Sequence, residues 1–206
     1  MSASSKAVKA ANKASSSRLA GLVSTEYDLG TLQLHLQVAH ARELKKRQRD
    51  AIWDIFETNM RDMYQVSTTF EWEPEVKKKE LFHSLARFLL VTPVAKPTCL
   101  LGFLNFRFEV EDEEDIIYCY DLQIASTGRK MGLGKKLLQE LDKFGAVFNM
   151  EKIMLTVFKA NTDAKGFYTA VGFSLDPSLS AEELEEVDYE ILSREIPPAD
   201  NTGTDD

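Results

Sequence analysis

RKMGLGKK, residues 129–136, sets two glycines one residue apart among basic side chains. It follows the apolar, tyrosine-bearing run DIIYCYDLQIA (115–125). It opens a helix whose Leu137, Leu138, Leu141, Phe144 and Phe148 share one face. The stretch therefore reads as a strand-to-helix turn. Gly132 and Gly134 admit backbone close to a ligand, where amides of the first helical turn are still unused. Those amides, the helix dipole and Arg129, Lys130, Lys135 and Lys136 favour phosphate oxygens. The spacing is not GxxxxGK[ST], nor GxGxxG followed by a ribose-binding acid, which argues against ATP and nicotinamide cofactors.

Outward from this turn the chain alternates strand and helix patterns. TLQLHLQV (31–38) alternates apolar and polar residues as a strand does. From about Ala41 to Val66 the period is helical, with Ile52, Phe56, Met60 and Met63 in one stripe and Ile55 and Tyr64 beside it. EPEVKKKELFHSL (73–85) reads as a short helix with Pro74 near its first turn. Its run Lys77–Lys79 reads as the solvent face, with a cofactor phosphate as the alternative target. ARFLLV (86–91) is a strand and TPVAKP (92–97) a turn. CLLGFLNFRFEV (99–110) and DIIYCYDLQIA form an antiparallel pair joined by the acidic EDEE (111–114). KIMLTVF (152–158) is a strand, NTDAKGFYTAVGF (161–173) holds a helix, and VDYEILSR (187–194) is a last strand after an acidic loop, SAEELEE (180–186). The order implies one mixed α/β domain.

The bulk composition agrees with a single core: 206 residues, 44% of them apolar. No apolar run approaches the roughly 18 residues of a membrane span. The first twenty residues lack the apolar segment of a secretory signal, and a mitochondrial transit peptide stays open. Residues 1–25 carry four bases and no acid, so the net charge of −8 divides into +4 there and −12 beyond. They read as a flexible basic arm, residues 26–196 as the domain, and the polar tail 197–206 as disordered. The arm either meets DNA or a nucleosome's acidic surface, or packs back on the domain. An acidic body is a poor surface for nucleic acid and suits a basic peptide, although solubility alone also explains it. Cys99 and Cys119 read as small core residues, and no Cys or His spacing suggests a metal.

Three separated segments, LQI (122–124), RKMGLG (129–134) and NTDAKGFYTAVGF, resemble the GCN5-related N-acetyltransferase superfamily, whose anion loop is [RQ]xxGx[GA]. Arg129, Gly132 and Gly134 match that loop. The resemblance spans about residues 85–193 and implies the superfamily fold: a central mixed sheet with splayed parallel strands, flanked by helices. It implies acetyl-CoA as cosubstrate, with the pyrophosphate held by Arg129, Lys130, Met131, Gly132, Leu133, Gly134 and Lys135. The pantetheine arm would pair with Leu122, Gln123 and Ile124. Asn161 matches an asparagine beside the cofactor, and Tyr168 the frequent general acid.

A narrower resemblance, to the N-terminal acetyltransferase D type, rests on NMRDMY (59–64), FRFEVE (106–111), YCYDLQ (118–123), GRKMGLGKKLL (128–138), KIMLTVFKAN (152–161) and YEILSR (189–194). It implies direct transfer, in a ternary complex, to the N-terminal Ser of histone 4 and histone 2A, which begin Ser-Gly-Arg-Gly. It also implies residence in nucleus and cytoplasm and no obligate auxiliary subunit. Glu109 and Glu111 match the acidic pair that receives the substrate's Arg. Tyr118 and Tyr120 match cleft tyrosines, and Tyr64 and Trp72 the wall over the peptide N-terminus. Asp121 stands where the animal proteins carry a catalytic Glu; the shorter side chain implies a bridging water or a tighter site. Those proteins resemble Phe-Phe near Tyr168, so its acid role comes from the wider superfamily.

The chemistry sets conditions on these residues. An α-amine with pKa near 8 must lose its proton before attack. Asp121 either takes that proton or only orients the ammonium while water takes it. Its reference pKa of about 3.9 makes it a weak base, so burial beside Glu109 and Glu111 has to raise it. Strict alternation sets Tyr118, Tyr120 and Leu122 opposite Cys119, Asp121 and Gln123, so Asp121 and the tyrosines share a cleft only if a bulge or a strand end breaks the period. Two other readings stand: a lysine or small-amine acetyltransferase, and a non-catalytic module that binds histone tails.

Overall fold

The computed structural model describes residues 5–30 and 32–197. The expectation for the tail falls on residues 198–206, outside the described ones. Eight strands form one sheet: β1 (Glu26–Leu29), β2 (Leu32–His40), β3 (Arg87–Pro93), β4 (Gly102–Glu111), β5 (Glu114–Ile124), β6 (Lys152–Phe158), β7 (Ser174–Leu175) and β8 (Tyr189–Glu195). Their spatial order is β1-β2-β3-β4-β5-β6-β8-β7. Every pairing is antiparallel except that of β5 with β6.

Two layers of helix cover the sheet. Helices α1 (Lys6–Lys13), α2 (Ser16–Ala20) and α5 (Leu133–Phe148) lie on one face. Helices α3 (Lys46–Val66) and α4 (Pro74–Leu81) lie on the other. Central strands therefore bury both sides: in β3, Leu89 and Val91 join the first core while Phe88 and Leu90 join the second. Helix α6 (Thr162–Ala170) follows β6, and its Tyr168 joins the first core. The acidic link of the β4–β5 hairpin closes as a two-residue turn, with Asp112 and Glu113 at φ of 46° and 70°.

Three expectations need correction. Most of the arm is folded: Val8, Ala11, Ala14 and Leu19 are at most 3% exposed, inside the first core. Ser5 and Ser15 cap the two helices, and the stripe escapes a hydrophobicity reading because it is mostly alanine. Arg87, 1% exposed, donates to the carbonyls of Ala11 and Asn12 and so meets the negative end of α1. Cys99 is exposed, since its amide closes the proline turn onto Lys96 and the strand starts only at Gly102. SAEELEE is a helix, α7 (Ala181–Glu186), capped reciprocally by Ser180 and Glu183.

Leu19→Ala should lower the unfolding free energy by about 2–4 kcal/mol. Chemical denaturation checks this; an arm that was flexible would leave stability unchanged.

Candidate active site

Along β4, Leu104, Phe106 and Phe108 join the first core, while Asn105 and Arg107 hydrogen-bond to the carbonyls of Leu81 and Glu80 at the end of α4. The partner strand breaks this period once. Asn105 lies opposite Asp121 and Phe106 opposite Cys119, so Tyr120 has no residue opposite it. Cys119 stays in the first core, whereas Asp121 and Gln123 take the α3/α4 side beside Tyr118 and Tyr120. Without the bulge, Asp121 would share the face of Cys119.

The same strand then parts from β6. Parallel pairing is confined to Ile116–Tyr118 against Lys152–Met154, although β5 runs to Ile124 and β6 to Phe158. The opening holds a cavity of about 380 Å³. Its walls come from α3 (Tyr64), α4 (Lys77, Glu80), β4 (Glu109, Glu111), β5 (Tyr118 to Gln123), β6 (Thr156 to Phe158) and α6 (Asn161, Tyr168).

Burial dominates the electrostatics. It pushes Asp121 up to about 7; the Gln123 hydrogen bond opposes this, Glu80 adds to it, and Lys77 and Arg107 act against it. The raising neighbour is thus Glu80, not the Glu109 and Glu111 expected from sequence. Glu109 is also raised, chiefly by burial, against the hydrogen bond from Tyr120 and the charge of Arg107. The Tyr120 hydroxyl reaches both Glu109 carboxylate oxygens at 3.1 Å, and the Arg107 guanidinium lies 3.9 Å over the Tyr120 ring. Burial pushes Tyr118 up to about 12, and Tyr120 and Tyr168 well above the usual phenol range. All three tyrosines are neutral phenols at working pH, and Tyr118 shares a 2.6 Å hydrogen bond with Thr156. A buried carboxyl titrating near neutrality beside such phenols is equipped to exchange protons with a basic group.

Of the expected acceptor residues, Tyr64, Glu109, Glu111, Tyr118 and Tyr120 line this cavity. Trp72 does not. It stacks on Trp53 and Phe56, and Tyr64 lies between it and Phe158; the nearby wall is Phe70 instead. Lys77, expected on the solvent face, also lines the cavity. The helix repeat puts Lys77 and Glu80 on one side, but no sequence signal identified that side as the inner one.

The anion turn stands beyond the cavity, at the N-terminus of α5. Gly132 caps this helix at φ 77°, a conformation open to glycine, and Lys130 also takes positive φ. Gly134 has a different reason to be small: a Cβ there would lie 3.0 Å from the Phe167 ring. Arg129 is tied inward, donating to Asn59 Oδ1 at 2.7 Å. Asn59 in turn donates to Gln123 Oε1 and the Ile124 carbonyl, so it joins α3 to the end of β5 and to the turn. Sequence reasoning left Asn59 unassigned, although it sits in the quoted NMRDMY. Asn161 accepts from the Ala164 amide, which makes it the N-cap of α6 as well as part of the cavity wall.

The acetyltransferase (GNAT) family model matches residues 49–173. The chain belongs to this family. Solved structures agree in fold. The NatC complex bound to Gag peptide and CoA is 18% identical, with 80% of this chain and 99% of that chain covered and a TM-score of 0.57. Tetrahymena GCN5 is 15% identical over 79% and 96%, with a TM-score of 0.58. The ribosomal-protein-S18-alanine N-acetyltransferase from Escherichia coli is 16% identical over 81% and 97%, with a TM-score of 0.52.

The family uses acetyl-CoA, and the residues present fit it. Among the described residues, no strand lies beside β5 beyond Tyr118 on the β6 side, leaving backbone groups for an amide-bearing arm. The first-turn amides of α5 suit a pyrophosphate. Bound there, acetyl-CoA supplies the activated acetyl group.

The raised Asp121 carboxyl has a consequence for stability. It titrates near 3.8 when unfolded and near 7 when folded, so its ionisation opposes folding increasingly between those values. Above about pH 7 the opposition is complete, and below about pH 4 it is absent. Asp121→Asn should therefore stabilise the protein at pH 8 by on the order of 1–4 kcal/mol, while acetyl transfer falls. Thermal melts at about pH 4 and pH 8 check this; a gain independent of pH would refute the titration.

Proposed function

We propose that this acetyltransferase acts on the α-amine of a tail beginning Ser-Gly-Arg-Gly, that of histone 4 and histone 2A, without an auxiliary subunit. Nucleus and cytoplasm are the expected compartments. The observation that carries the reading is one small cavity in which Glu109, Glu111 and Asp121 stand among Tyr64, Tyr118 and Tyr120. A space of about 380 Å³ suits one or two small residues. Glu109 and Glu111 lie toward the acidic turn, and the run from Glu109 to Asp121 holds seven acids and no base. That distribution steers and pairs a cationic tail. The quoted segments that resemble the N-terminal acetyltransferase D type supply Glu109, Glu111, Tyr118 and Tyr120, the same residues.

The acceptor ammonium first gives a proton to Asp121, directly or through a water. The amine nitrogen then bonds the acetyl carbon and the carbon–sulfur bond breaks. The second amine proton balances the departing thiolate, to which Tyr168 offers a neutral hydroxyl. A carboxyl titrating near 7 accepts a proton from the amine far better than one at 3.8.

The test uses acetyl-CoA with a Ser-Gly-Arg-Gly-Lys-Gly-Gly-Lys peptide in free and α-blocked forms, read by fragmentation mass spectrometry. One acetyl on Ser, and none on the blocked peptide, is expected. Acetylation of lysines in both forms would sink the reading. Glu109→Gln should raise KM for this peptide about 10- to 100-fold, the loss of a charge-assisted contact, and leave KM for acetyl-CoA unchanged.

A further inference from the structure

Lys77 is an odd residue to find in a cavity built for a cationic acceptor. Its side chain is 16% exposed, and Nζ lies 2.6 Å from Glu80 Oε2. The ammonium also sits 4.6 Å from the Tyr64 ring centroid and 5.7 Å from that of Phe70. Burial works against its charge, but Tyr64 and Glu80 outweigh it and raise the lysine above its ordinary range. Lys77 is therefore an ammonium at every working pH. The pair is lopsided: the Glu80 side chain is 44% exposed, so water screens the carboxylate more than the cation. Both charges face the cavity: Glu80 raises Asp121 and Lys77 lowers it, so the ammonium is what offsets the carboxylate there.

A fixed cation there repels an incoming ammonium, which hinders binding. The reacting species, however, is the free amine. A cavity of about 380 Å³ keeps any acceptor nitrogen within a few ångströms of its lining groups. At such distances one unit charge moves a neighbour's titration by on the order of one pH unit. An ammonium facing Lys77 loses its proton more readily, and a carboxyl facing it holds its charge more firmly.

We propose that Lys77 is a positioning residue for acetyl transfer: its ammonium, set between Glu80 and the rings of Tyr64 and Phe70, holds Asp121 as the carboxylate and the acceptor nitrogen as the free amine. The inference rests on the reading of Asp121 as the group that handles the amine proton. It does not depend on which amine is the acceptor. The groups that face Asp121 are Tyr118, Cys119, Tyr120 and Gln123 on β5, Arg107 and Glu109 on β4, Lys77 and Glu80 on α4, Tyr64 on α3 and Tyr168 on α6. Two of these are cations. Arg107 lies 3.8 Å from Glu109 and donates to the Glu80 carbonyl. Lys77 is the one paired by its side chain with Glu80, a carboxylate 44% exposed.

The test has two arms on the full chain. In the first, the Asp121 carboxyl is titrated by carbon-13 NMR without acceptor. The wild type should titrate near 7, Lys77→Met about one unit higher, and Lys77→Arg close to the wild type. Glu80→Gln, which removes a carboxylate that raises Asp121, should move it down. In the second arm, kcat is followed against pH with the free-amine peptide at saturating acetyl-CoA. Lys77→Met should shift the acid limb upward by about one unit, a roughly tenfold loss at pH 7 that recovers by pH 9, and Lys77→Arg should restore the limb. An Asp121 midpoint unmoved by Lys77→Met would overturn the proposal, as would a loss uniform across pH. Should Lys77→Met fail to fold, Lys77→Gln takes its place in both arms, with the same shift expected and the same null result overturning the proposal. Should the wild type leave the peptide unmodified, the acceptor reading falls and the NMR arm still judges Lys77.

Discussion

Between Phe106 and Asn105 the β4 backbone advances one residue while β5 advances two, and Tyr120 is the surplus. The sheet keeps its ladder on either side, so the core under α5 is undisturbed. The surplus is absorbed as a change of face, and it brings Asp121 and Gln123 round to the side of Tyr118. Immediately after Tyr118, β5 also loses β6 as a neighbour. The two distortions have one cause in common: a strand twisted by a bulge leaves its parallel partner, and the gap between them becomes the site. A regular β5 would have been a better sheet and no enzyme.

The cavity so formed is crowded with carboxylates that burial does not favour. Glu109 is relieved by Tyr120 and Arg107, and Glu80 by Lys77. Asp121 has only a 3.3 Å contact from Gln123. The sharing of partners is unequal, and Asp121, the least compensated, is the carboxyl that burial pushes up to about 7. A better hydrogen-bonded Asp121 would make a more stable protein and a weaker base.

Much of this was legible in the sequence, for identifiable reasons. The α5 boundaries follow from Gly132 and a strong apolar stripe, and the alternation in β5 already required a bulge or a strand end to unite Asp121 with the tyrosines. Residue type placed Tyr118, Tyr120, Glu109 and Glu111 together. What escaped were choices of face and of packing partner. Lys77 and Trp72 lie in α4 and the loop before it, where a stretch dominated by Glu and Lys gives no apolar stripe to say which side turns inward. Ala11 and Ala14 escaped because alanine contributes little hydrophobicity while permitting a close approach. Asn59 escaped because its role is to join three elements distant in sequence.

The N-terminal helices bear on the site through this packing. Asn12 donates to the Phe108 carbonyl and to none of the site's own side chains, and Ser5 donates to Asp115 at 2.7 Å. Phe108 and Asp115 flank the β4–β5 hairpin that carries Glu109, Glu111 and Tyr118. Arg87, fixed on the last carbonyls of α1, lies opposite Phe106 in the next strand. The hairpin is long and ends in a two-residue acidic turn, so its carboxylates would otherwise repel one another at the tip. Anchoring its back to α1 lets the front concentrate negative charge without opening. The segment that reads as a basic appendage is thus a brace for the acidic wall, held from behind by side-chain hydrogen bonds from Ser5 and Asn12 and a buried guanidinium.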